Sequence, residues 1–160
     1  MSIEKNVSEA LRWLKTGEDD LEAAVVLRKN GKFPQACFYA QQAAEKALKA
    51  IWYYRDADPW GHSIRKLIED LESVNLDVFK QLKGLLKAGT VLDRFYIPTR
   101  YPNGLPELTP GEAYLDEDAE LCIRQATEIL AAVKTLLPIS DKRQERRIKN
   151  QKRERITKAR

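Results

Sequence analysis

Apolar residues along this chain recur at helical steps from the first turns onward. Leu11, Leu14, Leu21, Ala24 and Val25 share one helical stripe. Asn6 with Glu9 three residues later predicts an N-cap ahead of them, and Asn30-Gly31 ends the helix after about Lys29. Pro34 opens a second helix that runs to about Arg55. Within it Cys37, Ala40, Ala44, Ala47 and Ile51 form a face small enough for a neighbouring helix to approach closely. Asp56 to Gly61 is a break. Ile64, Leu67, Ile68 and Leu71 then predict a short third helix, and Phe79, Leu82, Leu85, Leu86, Gly89 and Leu92 a fourth. Four prolines and two glycines make residues 97–111 a long exposed loop. Thr109-Pro-Gly-Glu112 is a capping box, after which Ala119, Cys122, Ala126, Ile129, Val133 and Leu136 trace the last helix up to Pro138. No pattern of period two occurs. The expected fold is all-α, an antiparallel up-and-down bundle of four to five helices with a long Pro-rich loop before the last one.

The second helix also carries a polar stripe, Gln42, Glu45, Lys46 and Lys49. Its spacing admits two readings: a solvated face with a Glu45–Lys49 pair one turn apart, or a polar wall lining a groove. Composition changes little. With 43% hydrophobic and 32% charged residues over 160 positions the chain suits one domain with a real core, and no apolar run approaches the roughly 18 residues of a membrane span. No secretory signal is evident, so the cytoplasm is the expected location. Cys37 and Cys122 sit on apolar stripes and read as buried thiols, and a lone His with two isolated Cys does not supply a zinc site. No cofactor is called for.

Charge is divided unevenly. Residues 141–160 carry ten Lys or Arg against three acids, a net of +7, which leaves −3 for the body given the overall +4. The expected organisation is a bundle over 1–138 and a basic tail over 139–160, either disordered or a helical extension, able to contact RNA nonspecifically.

Several segments, taken in order, resemble a known family. They are Trp13-Leu14 with Asp19-Asp20-Leu21, Ala36 to Ala50 around Gln41-Gln42-Ala43-Ala44-Glu45-Lys46, Gly61-His62-Ser63-Ile64 with Leu67, and Asp93-Arg-Phe-Tyr-Ile-Pro-Thr-Arg-Tyr-Pro-Asn103. Together they cover nearly all of residues 5–138 and resemble the HEPN (higher eukaryotes and prokaryotes nucleotide-binding) domain. The resemblance implies an all-α bundle paired into a symmetric homodimer. It also implies a partnership with a minimal nucleotidyltransferase, as half of a toxin–antitoxin-like module.

Two kinds of family member bear on function. Noncatalytic members bind a nucleotide or a partner protein, and here Lys46, Lys49, His62, Arg94, Arg100 and Tyr101 are the candidates, cations for phosphate and Tyr101 for base stacking. Ribonuclease members are metal-independent and use an Arg and a His with four to six residues between them. Arg55 and His62 fit that spacing, but Pro59 and Gly61 put them across an interhelical loop, and Ile64 stands where partner-modified toxins often have Tyr. The plainer readings are that His62 caps a helix start, that Arg100 pairs with Glu45 or an Asp, and that Tyr101-Pro102 anchors the loop. The expected function is therefore noncatalytic nucleotide or nucleotidyltransferase binding. A metal-independent endoribonuclease is the first alternative, and an RNA adaptor working through the tail is the second.

Overall fold

The computed structural model describes residues 3–137, and the basic segment 141–160, with the roles expected of it, lies outside them. The described residues form eight α-helices: α1 (Ile3–Lys29), α2 (Phe33–Tyr54), α3 (Ile64–Glu69), α4 (Leu71–Val74), α5 (Leu76–Leu82), α6 (Leu86–Asp93), α7 (Pro110–Ala113) and α8 (Asp116–Leu136). Among the described residues there is no strand, and no helix is long and apolar enough to cross a membrane.

α2 is the axis of the fold. Fourteen of its 22 residues are buried, including eight of nearly zero exposure that are Ala, Cys or Leu. A helix apolar on most of its circumference must be covered on most sides. α1 and α8 cover two of them, while α3 and α6 pack across a third. The small stripe Cys37, Ala40, Ala44, Ala47 and Ile51 is buried throughout, as its spacing predicts. Cys37 and Cys122 are free thiols meeting between α2 and α8, and contact with Cys37 together with burial pushes the Cys122 thiol up, which keeps it neutral.

α1 approaches α2 most closely at Gly17. A Cβ there would lie 2.8 Å from the Ala43 carbonyl oxygen and 3.3 Å from the Ala47 nitrogen, both backbone atoms that cannot swing aside. Gly17→Ala is therefore expected to destabilise the fold by about 1–3 kcal/mol, through forced separation of two helices. Gly84→Ala, with nothing within 4 Å, is the matched control. Urea midpoints for the two variants that coincide would contradict this close approach.

Ion pairs join the ends of the antiparallel α1 and α8. Arg28 grips Asp116 with two bonds of 2.7 and 2.8 Å and reaches Glu120 at 3.0 Å, which holds the Asp116 carboxyl below its usual range. Lys134 meets Glu18 at 2.5 Å further along the same pair of helices. These contacts are partly exposed and contribute little stability individually, but they fix the register.

Four expectations need correcting. Asn6 is no N-cap: α1 already runs at Ile3, and Asn6 lies within it, buried. The fourth helix is two helices, α5 and α6, separated by a 3₁₀ turn at Lys83–Leu85. The Thr109 capping box exists, with Glu112 accepting from the Thr109 N–H and hydroxyl and so held below the usual carboxylate range. It opens only the four-residue α7, however, and α8 starts afresh at Asp116, where Asp118 accepts from the Leu115 N–H. Finally, the polar stripe of α2 is not a solvated face. Glu45 is 3% exposed and Lys49 8%.

Candidate functional site

Along that polar stripe Lys46 and Lys49 face α1, through Asp20 and Trp13, while Glu45 is met by the first of two loops distant in sequence. The first links α2 to α3. It leaves α2 through Asp56, whose φ is +57°, and turns again at Gly61, φ +82°. His62 follows, and its backbone is held on both sides. Gln41 donates its side-chain amide to the His62 carbonyl at 3.0 Å, and Ser63 caps α3 by accepting from the Lys66 N–H.

The second loop follows α6. Gly89 lets the backbone of α6 come within contact of Arg65, where a Cβ would sit 2.9 Å from the Arg65 nitrogen. One turn on, Asp93 is thereby brought to the N-terminus of α3. Its carboxylate accepts from the Ser63 hydroxyl at 2.6 Å and from the N–H groups of Ile64 at 2.6 Å and Arg65 at 3.2 Å. A carboxylate at a helix start satisfies orphan donors and complements the helix dipole. Asp93 is thus a clamp between the two loops. Residues 94–101 then form consecutive turns, closed by Thr99 donating to the Phe95 carbonyl and by the Arg100 Nε donating to the Tyr96 carbonyl at 2.9 Å.

Between these loops lies a compact network. Glu45 Oε1 meets Lys49 Nζ at 2.9 Å and His62 Nδ1 at 3.1 Å, while Oε2 accepts from Gln42 at 3.1 Å. Since a carboxylate only accepts, the hydrogen of His62 belongs on Nδ1, and Nε2 is the open nitrogen. The imidazole stacks on Tyr96 with 5.0 Å between centroids and 20° between planes. Arg100 lies over three rings, Phe38 at 4.5 Å, Tyr96 at 4.6 Å and Tyr101 at 5.4 Å. Phe38 and Tyr96 also stack on each other. The result is an aromatic platform whose Tyr96 ring is shared by an exposed cation and by an imidazole backed by a buried carboxylate.

The six expected binding residues fall into two groups. His62, Arg100 and Tyr101 converge on this platform, with Tyr101 about half exposed rather than packed down. Lys46 and Lys49 are instead committed inside the fold. Lys46 is paired with Asp20 of α1, and Lys49 pairs with Glu45 while lying 5.7 Å from the Trp13 ring. Arg94 is exposed at the end of α6, beside the clamp but apart from the platform. Arg100 pairs with neither Glu45 nor an Asp; no carboxylate meets it among the described residues. Nor does a hydrogen bond join Arg55 to His62, because Arg55 lies over the Tyr54 ring at 5.4 Å.

Sequence reasoning left out Phe38, Gln41 and Tyr96 as site residues and read Glu45 and Asp93 only as context. Phe38, Gln42, Glu45 and Lys49 step by four, three and four along one face of α2. An aromatic residue continuing a polar stripe is the signal that the stripe faces something other than water.

Comparison with known proteins bears on the fold and the family. The sequence signature of the HEPN domain matches residues 10–136. A Methanocaldococcus jannaschii protein named "Putative toxin MJ1304" is 31% identical over 137 residues, 82% of this chain and 90% of that protein. The crystal structure of TT1696 from Thermus thermophilus superposes with a TM-score of 0.73 at 39% identity, covering 79% of this chain and 97% of the other. That of ST0689, an archaeal HEPN homologue, gives 0.65 at 34% identity over 81% and 98%.

Proposed function

We propose that this chain, which belongs to the HEPN domain family, binds a nucleotide on the platform formed by His62, Tyr96, Arg100 and Tyr101. The observation that carries this reading is the guanidinium of Arg100. It rests on three rings yet meets no carboxylate among the described residues, so its remaining N–H groups are open to an anion. A planar fork of donors suits phosphate, and the half-exposed ring of Tyr101 suits a base. Within the family's range, the protein acts as a noncatalytic homodimer in a toxin–antitoxin-like pair, with a minimal nucleotidyltransferase as partner. The likeness to a protein named as a putative toxin supports that module.

Arg100→Ala should weaken binding of adenosine monophosphate by at least about tenfold, the worth of a hydrogen bond to a charged group. Arg100→Lys should not restore it, because an ammonium cannot reproduce the fork. Titration calorimetry on the three proteins reads this directly, and equal affinities would overturn the assignment.

One observation favours a second reading, the metal-independent endoribonuclease. Glu45 orients His62 with Nε2 outward, which is the arrangement of a general base held by a carboxylate. Arg100, rather than Arg55, then stands where a phosphate would be held. Cleavage of single-stranded RNA in the presence of chelator, abolished by His62→Ala, separates this reading from the first.

A further inference from the structure

We infer that the phosphoryl group is bound between Arg100 and the Nε2 edge of His62, and that its binding takes up a proton at His62. The inference rests on the nucleotide reading above and adds the chemistry of its anion subsite.

The imidazole has one open edge. Nδ1 is taken by Glu45, Tyr96 covers a ring face, and the His62 carbonyl is tied to Gln41, yet the side chain remains 57% exposed. No hydrogen bond engages Nε2 among the described residues. Neutral, with its hydrogen on Nδ1, the ring offers Nε2 only as an acceptor, which an anion cannot use. Protonated, it donates from both nitrogens at once, to Glu45 on one side and to an oxyanion on the other.

Charged groups of both signs face the ring. From α2, the attraction of Glu45 is shared with the Lys49 ammonium on the same Oε1. From the 94–101 turns, Arg100 shares the Tyr96 ring with the imidazole and is a like charge to its protonated form. From the α6–α3 junction, the Asp93 carboxylate is engaged by Ser63, Ile64 and Arg65. On the ring's own loop stand Arg55, Asp56 and Asp58. An anion between Arg100 and Nε2 offsets the like charge of Arg100 and accepts from the imidazolium. Proton and anion therefore bind together, each favouring the other by the same factor. An imidazole changes charge between about pH 5 and 8, and the protonated form is the one that holds the ligand. Affinity is thus full at low pH and lost as pH rises.

Sulfate is the probe of choice, being tetrahedral and fully ionised across this range, so any pH dependence belongs to the protein. His62 is the only histidine of the 160 residues, so its ring resonances are unambiguous by NMR. Sulfate should bind about tenfold more weakly at about pH 8 than at about pH 5, with the His62 resonances moving toward the protonated position on binding. His62→Gln should remove the pH dependence and Arg100→Gln the binding. Adenosine monophosphate should bind more tightly than sulfate, with the same movement of the His62 resonances. If both ligands bind while the His62 resonances stay still, the inference falls and the nucleotide reading survives. If sulfate binds with the proton but the nucleotide gains nothing over it, the nucleotide reading falls and the anion subsite stands. Binding by neither overturns both.

Discussion

Glu45→Ala is expected to destabilise the protein by about 3–5 kcal/mol, the usual consequence of removing one member of a buried ion pair. The carboxylate is 3% exposed and its partner Lys49 8%, so the substitution strands an ammonium with neither water nor counter-ion. His62 loses its acceptor in the same step, and the Gln42 amide is left with the Gln41 side-chain oxygen alone. Against a typical net stability of about 5–15 kcal/mol this is a large fraction of the whole. The cause is the stranded charge, not the missing bond, and a second substitution separates the two. Glu45→Ala combined with Lys49→Met leaves no charge to desolvate and fills similar space beside Trp13. More than half of the lost stability should return. Urea denaturation of wild type, single and double variants measures this. A single variant within about 1 kcal/mol of wild type would mean that water reaches the pair and that the polar stripe is solvated after all.

That stripe also marks the boundary of what the sequence discloses. The Glu45–Lys49 pair follows from its spacing alone, since residues four apart on a helix are neighbours. Its burial does not follow, because the groups against the pair come from elsewhere in the chain, His62 against Glu45 and Trp13 against Lys49. The same division runs through the fold. The small-residue face of α2 is readable because Ala and Cys at steps of three and four serve little purpose except close packing. The start of α1 is misread because Asn6 and Glu9 imitate a local cap, while tertiary burial of Asn6 keeps the preceding turn helical. The Thr109 capping box is readable for the same local reason, yet nothing local announces that α7 stops after one turn. At the candidate site, His62 and Arg100 each contact the Tyr96 ring, and Arg100 also lies over Tyr101. Lys46 and Lys49 match them in charge and spacing but are consumed by Asp20 and Glu45, partners set by the packing of helices.

Asp93→Ala should cost about 2–3 kcal/mol and weaken ligand binding as well, because one carboxylate holds both loops of the site. Its oxygens accept from Ser63, Ile64 and Arg65, and all three donors lose an ionised acceptor together. The loss exceeds that of an ordinary cap for this reason. Asn75 provides the comparison, since it caps α5 locally by accepting from the Val78 N–H, and Asn75→Ala should cost about 1 kcal/mol. The two variants should differ more sharply in function. His62 immediately precedes Ser63, and Tyr96 follows Asp93 by three residues, so releasing the clamp loosens the imidazole and the ring it stacks on. α5 makes no such connection. Adenosine monophosphate affinity should therefore fall severalfold in Asp93→Ala and stay unchanged in Asn75→Ala, with both proteins held well below their unfolding temperatures. Asp93→Asn keeps one carbonyl acceptor but turns an amide toward the other donors, so it should recover only part of each loss. Thermal unfolding and calorimetric titration of the three variants test the clamp. Loss of stability in Asp93→Ala with unaltered affinity would show that the His62 and Tyr96 loops keep their places without it.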